Sequence, residues 1–132
     1  MGLAILVAGW SKDASTQVGA VITDADHRLV SLGFNGPPKG ADDARWMQDR
    51  DTKLAVTLHA EHNAILFARR PLEGCTLYTY PLPPCSHCAA QIVQTGIGRV
   101  VVPDLEIAQR WRHSVGLGEE LLRDAGVEIC RV

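Results

Sequence analysis

The sequence lacks any excess of positive charge: 13 lysines and arginines face 15 aspartates and glutamates, a formal net charge of −2 with neutral histidines. Without a basic surface field there is little to attract a long nucleic acid, so the composition disfavours a polynucleotide substrate. The remaining composition, 46% hydrophobic and 21% charged, is that of an ordinary globular protein. The length of 132 residues predicts one domain spanning residues 1–132.

Long hydrophobic runs are also absent. The apolar start, Met1 to Trp10, is too short to cross a bilayer, and no Lys or Arg precedes it as a signal peptide would require. Cysteine is sparse, with four residues, which disfavours a small disulfide scaffold. Two of them, Cys85 and Cys88, form a C-x-x-C pair, which in a reducing compartment indicates thiolates on a metal. The sequence therefore predicts a cytoplasmic protein with no membrane contact.

The apolar pattern predicts five strands and four helices in the order α-β-β-α-β-α-β-α-β. Runs of β-branched residues mark the strands, and helical spacing with Pro71 and Gly96 at the ends marks helices. The predicted helices cover 3–10, 60–70, 86–95 and a last helix that includes 119–124; the strands cover 17–23, 28–34, 75–80, 99–102 and 127–132. Helices between the last three strands make those strands parallel, whereas the first two form an antiparallel hairpin. The result is an α/β fold with a mixed five-stranded sheet.

One long polar stretch has no predicted helix or strand. Residues 35–40 (NGPPKG) are rich in turn formers, and the polar sequence continues to about Lys53. Long loops inside compact domains are often binding elements, so we expect this one near a ligand site.

Two short motifs carry the chemistry. His59-Ala60-Glu61 is followed by a P-C-S-H-C motif that places Cys85 26 residues after His59. Zinc prefers nitrogen and sulfur ligands in a tetrahedron, and catalytic zinc sites keep the fourth position open for water. His59, Cys85 and Cys88 supply three such ligands. H-x-E followed by P-C-x-x-C is the general signature of zinc nucleobase deaminases, which predicts one catalytic Zn²⁺ per chain.

Glu61 is the candidate catalytic residue because it can face the water that zinc activates. We expect it to take a proton from that water, pass it to N3 of a cytosine ring, and carry a proton to the departing ammonia. Both His59 and Cys85 are predicted at helix starts, where the positive end of the helix dipole stabilises a thiolate.

Other interpretations of these residues stay open. A C-x-x-C pair can be a redox pair or half of a closed structural zinc site. A closed site needs a fourth ligand, for which the sequence offers Cys75, Cys130, His62 and His87. We expect the two cysteines to be core thiols on strands and the two histidines to bind no metal. The remaining histidines, expected in loops, are His27 and His113.

The likeness to known proteins extends beyond the metal motif, and the chain resembles the cytidine and deoxycytidylate deaminase superfamily. Residues 11–20 (SKDASTQVGA) are similar to the S-K-D-x-x-T-Q-V-G-A run of deoxycytidylate deaminases, and residues 33–40 (GFNGPPKG) to their G-Y-N-G-x-P-x-G loop. Residues 59–65 (HAEHNAI) match H-A-E-x-N-A-I, and residues 94–97 (QTGI) match Q-x-G-I. The resemblance covers about residues 3–102 and implies the three-layer α-β-α cytidine-deaminase fold.

The resemblance also implies roles for substrate-binding residues. Asn35 would contact the sugar or the base, and the backbone N–H of Ala60 would meet the base carbonyl. The walls of the base pocket would be Val18, Gly19 and Ala20. A 5′-monophosphate needs cations, and the nearest candidates by analogy are Lys12, Lys39 and Arg70.

The resemblance implies conversion of dCMP to dUMP and ammonia by a homo-oligomer that associates through its helices. Two segments depart from the family pattern. Residues 78–84 are one residue longer and richer in proline than L-Y-V-T-L-F-P, and residues 41–51 lack the Cys and His that bind a second zinc in some phage members. A free nucleoside, a modified cytosine or another nucleobase stays an alternative substrate, with tRNA adenosine less favoured. The non-enzyme alternative is a catalytically idle zinc-binding module.

Overall fold

The computed structural model describes residues 1–132 and contains six helices and five strands. The helices are α1 Gly2–Ala8, α2 Asp43–Trp46, α3 Arg50–Val56, α4 Ala60–Ala68, α5 Ser86–Thr95 and α6 Gln109–Asp124. The strands are β1 Gly19–Thr23, β2 Leu29–Phe34, β3 Thr76–Tyr80, β4 Arg99–Val102 and β5 Glu128–Arg131. None of the helices combines the length and the hydropathy that a membrane span requires.

The five strands form one mixed sheet in the order β2-β1-β3-β4-β5. β1 is antiparallel to both β2 and β3, whereas β3, β4 and β5 run parallel. Ala20 of β1 lies opposite Gly33 of β2 and Thr79 of β3, so these three residues share one face of the sheet. The predicted antiparallel hairpin and the predicted parallel crossovers are both confirmed.

The helices cover the two faces of the sheet unequally, which gives the predicted three layers. One face carries α4, α5 and α6, whose Ala64, Ile92 and Leu122 join the main core cluster with strand residues such as Leu77 and Val100. The opposite face carries α1 alone, in a smaller cluster formed by Ala4, Val7 and Val21. The three-layer α-β-α fold is confirmed.

The sequence predicts no helix between residue 35 and about Lys53, and this is wrong, because α2 and most of α3 lie there. Each helix is started by an aspartate at its N-cap. The Asp42 carboxylate accepts hydrogen bonds from the backbone N–H groups of Ala44 and Arg45, and the Asp49 carboxylate accepts from those of Asp51 and Thr52. Such caps satisfy backbone donors that a helix start otherwise leaves unpaired. Asp42 and Asp49 are typical N-cap residues, but the short helices that follow them have no row of apolar residues that would predict a helix.

The last helix is also longer than predicted. It begins at Gln109 rather than close to Glu119, so His113 lies in a helix and not in a loop. Its buried residues Val115, Gly118 and Leu122 follow helical spacing, but two glycines interrupt the apolar pattern in the sequence. The other predicted elements differ from the observed ones by at most two residues at either end.

The two cysteines outside the metal motif differ in burial. Cys75 is buried in the main core cluster, as predicted, although it precedes β3 rather than lying in it. Cys130 is only half-buried because β5 is an edge strand, and its thiol donates a hydrogen bond to Glu128. The prediction of a core thiol at Cys130 was therefore wrong.

Gly33 allows α4 to lie directly against β2. A Cβ atom at this position would stand 2.4 Å from both the carbonyl oxygen of Ala60 and the backbone nitrogen of Ala64. These are backbone atoms that cannot move aside without displacing the helix. The absence of a side chain at Gly33 therefore fixes where α4 starts on the sheet.

Gly118 has the same effect on α5 from the other side. A Cβ atom there would stand 2.7 Å from the carbonyl oxygen of Pro84 and 3.0 Å from the carbonyl carbon of Cys85. α6 therefore rests on the backbone at the start of α5. By contrast, a Cβ atom at Gly116, two residues away on the same helix, would meet nothing within 4 Å.

This pair of glycines provides a matched test of the contact. Alanine is a better helix former than glycine by about 1 kcal/mol, so Gly116→Ala should raise the free energy of unfolding by roughly 0.5–1 kcal/mol. Gly118→Ala should lower it by about 1–3 kcal/mol, because the new methyl group overlaps the backbone at the start of α5. Urea denaturation of the zinc-supplemented protein measures both changes. Equal stabilisation by the two substitutions would contradict the close approach.

Candidate active site

His59 and Cys85 occupy the N-cap positions of α4 and α5, and neither side chain makes a capping hydrogen bond. Natural N-caps are mostly Ser, Thr, Asp or Asn, whose side chains pair with free N–H groups of the first turn. Here the imidazole and the thiol are left free for another partner. The starts of α4 and α5, which lie side by side, therefore lack the stabilisation that a side-chain N-cap would provide.

The third member of the group, Cys88, lies in the first turn of α5. Its sulfur is 3.3 Å from Nδ1 of His59, and the Cys85 sulfur is 3.5 Å from the same nitrogen. All three ligand atoms lie within 4.8 Å of one another, and this is the only such group of His, Cys, Asp or Glu in the structure. The predicted alternatives for a fourth ligand, Cys75, Cys130, His62 and His87, are not part of it.

The arrangement fits a tetrahedral zinc ion. Zn–S and Zn–N bonds of about 2.3 and 2.0–2.1 Å place sulfur and nitrogen ligands about 3.6 Å apart in a tetrahedron, close to the separations in this structure. Two sulfurs and one imidazole are ligands that zinc favours, and the fourth position has no protein ligand. His59, Cys85 and Cys88 are therefore positioned to form a zinc site of the catalytic type, with three protein ligands.

The hydrogen bonds and charges within this group favour the thiolate form of Cys85, which is the form that binds a metal ion. Hydrogen bonds from Cys88 and His59 lower the pKa of the Cys85 thiol to about 3, despite partial burial. The hydrogen bond with Cys85 also raises the pKa of His59. The hydrogen bond to Cys85 and burial raise the pKa of the Cys88 thiol.

Glu61 is the buried acid of the site. Only 3% of the residue is exposed, and this burial raises the pKa of its carboxyl to about 7. It lies in the first turn of α4, one residue beyond Ala60, and it lines the same cavity as His59 and Cys85. A carboxyl group that titrates near neutral pH can both accept and donate a proton under physiological conditions.

The metal-binding group lies in a cavity of about 730 Å³, counting its open mouth. Five parts of the chain form its walls: the residues before β1, Asn35 after β2, the start of α4, the segment that ends at Cys85, and the face of α6 near Trp111. α3 and the residue after it contribute the remaining wall through Arg50, Lys53, Leu54 and Thr57.

Of the predicted pocket residues, Val18, Asn35 and Ala60 line the cavity, whereas Gly19 and Ala20 do not. Gly19 faces α1, where a Cβ atom would stand 2.2 Å from the carbonyl oxygen of Ala4. Ala20 is buried in the main core cluster. Both residues support the strand that follows Val18 rather than forming the cavity surface.

Asn35 has both ends of its side-chain amide engaged within the protein. Its Oδ1 accepts a hydrogen bond of 2.8 Å from the backbone N–H of Val18, and its Nδ2 donates one of 2.9 Å to the carbonyl of Thr16. Its own carbonyl accepts a hydrogen bond from the Ser11 hydroxyl. Asn35 thus ties the end of β2 to the segment that enters β1.

The three cations predicted for a phosphate do not line the cavity. Lys12 forms an ion pair with Asp43 at the surface, and Lys39 and Arg70 are exposed elsewhere. The cations that do line it are Arg50 and Lys53 of α3. Arg50 and Lys53 are three residues apart, so on a helix they lie on the same face. This relation can be read from the sequence only if residues 50–56 are first predicted to be a helix.

No pattern in the sequence indicates that α6 contributes to the site. Trp111, Ser114 and Val115 of this helix line the cavity, and residues 82–83 of the proline-rich segment lie there as well. α6 is separated from the metal motif by a strand and a loop, so its approach depends on the packing of Gly118 against the start of α5. This is a tertiary contact without a sequence signature.

Comparisons with known proteins agree with this geometry. The family model described as the cytidine and deoxycytidylate deaminase zinc-binding region matches residues 1–103. An uncharacterized deaminase in the luxG 3′ region of Aliivibrio fischeri is 48% identical over 129 residues, which are 96% of this chain and 86% of that protein. The deoxycytidylate deaminase of Mus musculus is 40% identical over 108 residues, which are 76% of this chain but only 60% of the mouse protein.

Solved structures show the same fold. The dCMP deaminase of cyanophage S-TIM5, in complex with dCMP and dUMP, matches with a TM-score of 0.82 at 23% identity, covering 99% of this chain and 92% of that one. The diaminohydroxyphosphoribosylaminopyrimidine deaminase/reductase of Thermotoga maritima matches with a TM-score of 0.70 at 29% identity, covering 99% of this chain and 34% of that one. This chain belongs to the cytidine and deoxycytidylate deaminase family that is defined by its zinc-binding region.

Proposed function

We propose that this protein is a zinc-dependent deaminase that converts dCMP to dUMP and ammonia. The observation that carries the proposal is the buried Glu61 carboxyl, with a pKa of about 7, beside a three-ligand zinc site in one cavity. A purely structural zinc site has no use for such a carboxyl group, which argues against an idle zinc module. The name of the murine relative, a deoxycytidylate deaminase, supports the choice of substrate.

Metal binding and proton transfer are carried out by different residues of the site. His59, Cys85 and Cys88 would hold the zinc ion, which would act as a Lewis acid and make a water molecule nucleophilic near neutral pH. Glu61 accepts a proton from the water and donates it to N3 of the cytosine ring, which makes C4 electrophilic. Once the water oxygen has bonded to C4, the Glu61 carboxylate takes the second proton of that oxygen and delivers it to the amino group. The C4–N bond then breaks, and the amino group leaves as ammonia. Because Glu61 is shielded from bulk water, it exchanges these protons with the substrate rather than with solvent.

The cavity wall offers complementary contacts for a pyrimidine. Ala60 is the first residue of α4, and the N–H groups of a first helical turn have no partner inside the helix, so this one is free to donate to the base carbonyl. Val18 and Pro83 provide apolar surface beside the ring. Asn35 acts mainly by holding Val18 in place, since its amide is already hydrogen-bonded.

Arg50 is the best candidate for the 5′-phosphate. It lines the cavity and takes part in none of the ion pairs of the structure, whereas the charge of Lys53 is paired with Asp13. An unpaired guanidinium has the planar set of donors that binds phosphate well. The hydroxyl groups of Ser15 and Thr16 lie on the same cavity surface. Roles for Lys12, Lys39 and Arg70 stay predictions that no contact of this structure supports.

Replacement of Glu61 tests the catalytic role. Glu61→Gln should bind zinc as the native protein does but lower kcat for dCMP by about 10²–10⁴-fold, because the amide cannot move protons. Ammonia release gives the rate and atomic absorption the zinc content. The exposed Glu73→Gln is the matched control and should keep the native rate. A Glu61→Gln variant that retains the native rate would remove Glu61 from the mechanism.

Replacement of Arg50 tests the phosphate contact. Arg50→Gln should raise KM for dCMP by about tenfold or more and leave the smaller activity on deoxycytidine unchanged, since only dCMP carries the phosphate. Arg45→Gln, on the neighbouring α2 and outside the cavity, is the matched control. The assay should also include CMP, cytidine, 5-methyl-dCMP, adenosine and guanine. Equal loss of activity on dCMP and deoxycytidine would contradict the assignment.

We also propose that residues 1–132 act as one domain in a cytoplasmic homo-oligomer. Thiolate ligands for zinc are best preserved in a reducing compartment. α1 has Leu3, Ile5 and Leu6 exposed on its outer side, and an all-apolar helix normally buries such side chains. Light scattering should therefore show more than one chain per particle, and Leu6→Glu should reduce that number. A native protein that stays monomeric at micromolar concentration would refute this assembly.

A further inference from the structure

Residues 42–57, which we call the α2–α3 segment, form a wall of the cavity without being part of the core. No residue of α2 or α3 is buried, and the two helices pack against each other but against no other helix or strand. The segment nevertheless supplies Arg50, Lys53, Leu54 and Thr57 to the cavity surface. Regions with so few buried apolar contacts open locally at much lower free energy than the core does.

The α2–α3 segment is attached to the rest of the protein at few places. At its base, Gly36 and Leu58 form an isolated β-bridge with hydrogen bonds of 3.1 and 2.8 Å. This bridge closes residues 37–57 into a single long connection that contains α2 and α3. Beyond this bridge, only two side chains of the segment, those of Asp43 and Lys53, bond to other parts of the structure. Asp43 forms an ion pair with Lys12, and Lys53 forms an ion pair with Asp13 and a hydrogen bond with Ser15.

The two ion pairs differ sharply in exposure. The side chains of Lys12 and Asp43 are 72% and 38% exposed, whereas those of Lys53 and Asp13 are 14% and 7% exposed. An exposed pair contributes little because water screens it, while loss of one partner from a desolvated pair leaves a buried charge uncompensated. The attachment through Lys53 is therefore the one that matters for the position of the segment.

Asp13 is built to hold Lys53. Its Oδ1 accepts hydrogen bonds from the N–H and hydroxyl of Ser15, from the N–H of Thr16, and from Nζ of Lys53 at 3.2 Å. Nζ of Lys53 also donates to the Ser15 hydroxyl at 2.9 Å. Burial works against the charged form, but these hydrogen bonds lower the pKa of Asp13 to about 2. The carboxylate is thus charged at neutral pH and fixed to the opposite wall of the cavity.

We propose that Lys53 is a positioning residue whose ion pair with Asp13 keeps the α2–α3 segment closed as a lid over the active-site cavity. The two partners come from opposite walls, since residues 13–16 precede β1 and Lys53 lies on α3. Opening of the lid separates this pair, widens the entrance beside the metal ligands and moves Arg50 away from the cavity. The inference depends on the geometry of the cavity and not on which base is deaminated.

Hydrogen–deuterium exchange of the zinc-loaded protein, without substrate, tests the lid. Lys53→Met keeps the length of the side chain but removes the charge, and it should speed exchange of the amides of α3 about tenfold or more while β1, β3 and β4 exchange as before. Asp43→Asn, which breaks the exposed pair of the same segment, is the matched control and should change exchange less than about twofold. Removal of zinc by a chelator should also become several-fold faster in Lys53→Met only.

Asp13→Asn provides a second variant if Lys53→Met does not fold, because asparagine keeps an oxygen for the hydrogen bonds from Ser15 and Thr16. It should cause the same local increase in exchange. Unchanged exchange of α3 in a folded variant would overturn the proposal, as would an equal increase across the whole sheet, since that indicates global destabilisation. Neither readout uses deaminase activity, so a protein that failed to act on dCMP could still have the lid.

Discussion

The site depends on one constraint: the N-termini of α4 and α5 must meet closely enough for three ligand atoms to lie within 4.8 Å. Side-chain ligands cannot bridge a wider gap, since their length is fixed. Two glycines meet this constraint by letting backbone contact backbone, Gly33 beneath α4 and Gly118 against the start of α5. The position of the buried Glu61 follows from the same contacts, because it lies in the first turn of α4.

Around this rigid centre the cavity is built from parts of very different stability. Its floor belongs to helices packed on the sheet, whereas the wall formed by α3 has no buried residue and is attached mainly through Lys53 and Asp13. Catalytic ligands need fixed positions, but a substrate needs a way in. The helices packed on the sheet hold the ligands in fixed positions, and the weakly attached α3 wall can open to admit a substrate. It also places Arg50, the proposed phosphate contact, on the part that moves.

The sequence could predict the hairpin and the crossovers of the sheet, the three metal ligands and the candidacy of Glu61, because each has a local signal. Runs of β-branched residues predict strands, glycine and proline mark helix ends, and ligand spacing indicates the metal site, and each pattern spans only a few residues. The cations of the cavity are Arg50 and Lys53, and the prediction of Lys12, Lys39 and Arg70 is not supported, since that prediction rests on analogy and the sequence shows no clear signal for α3. The contribution of α6 through Trp111 was missed because its start was placed too late.

The sequence by itself determined the family, the metal and the fold class, because ligand chemistry and strand patterning are written in residue types at short spacing. Only the tertiary structure decided which side chains line the cavity. That choice depends on contacts between distant segments, such as Gly118 with Pro84 and Lys53 with Asp13. Neither partner of such a contact carries a local pattern that points to the other, so the pairing exists only once the helices have packed on the sheet.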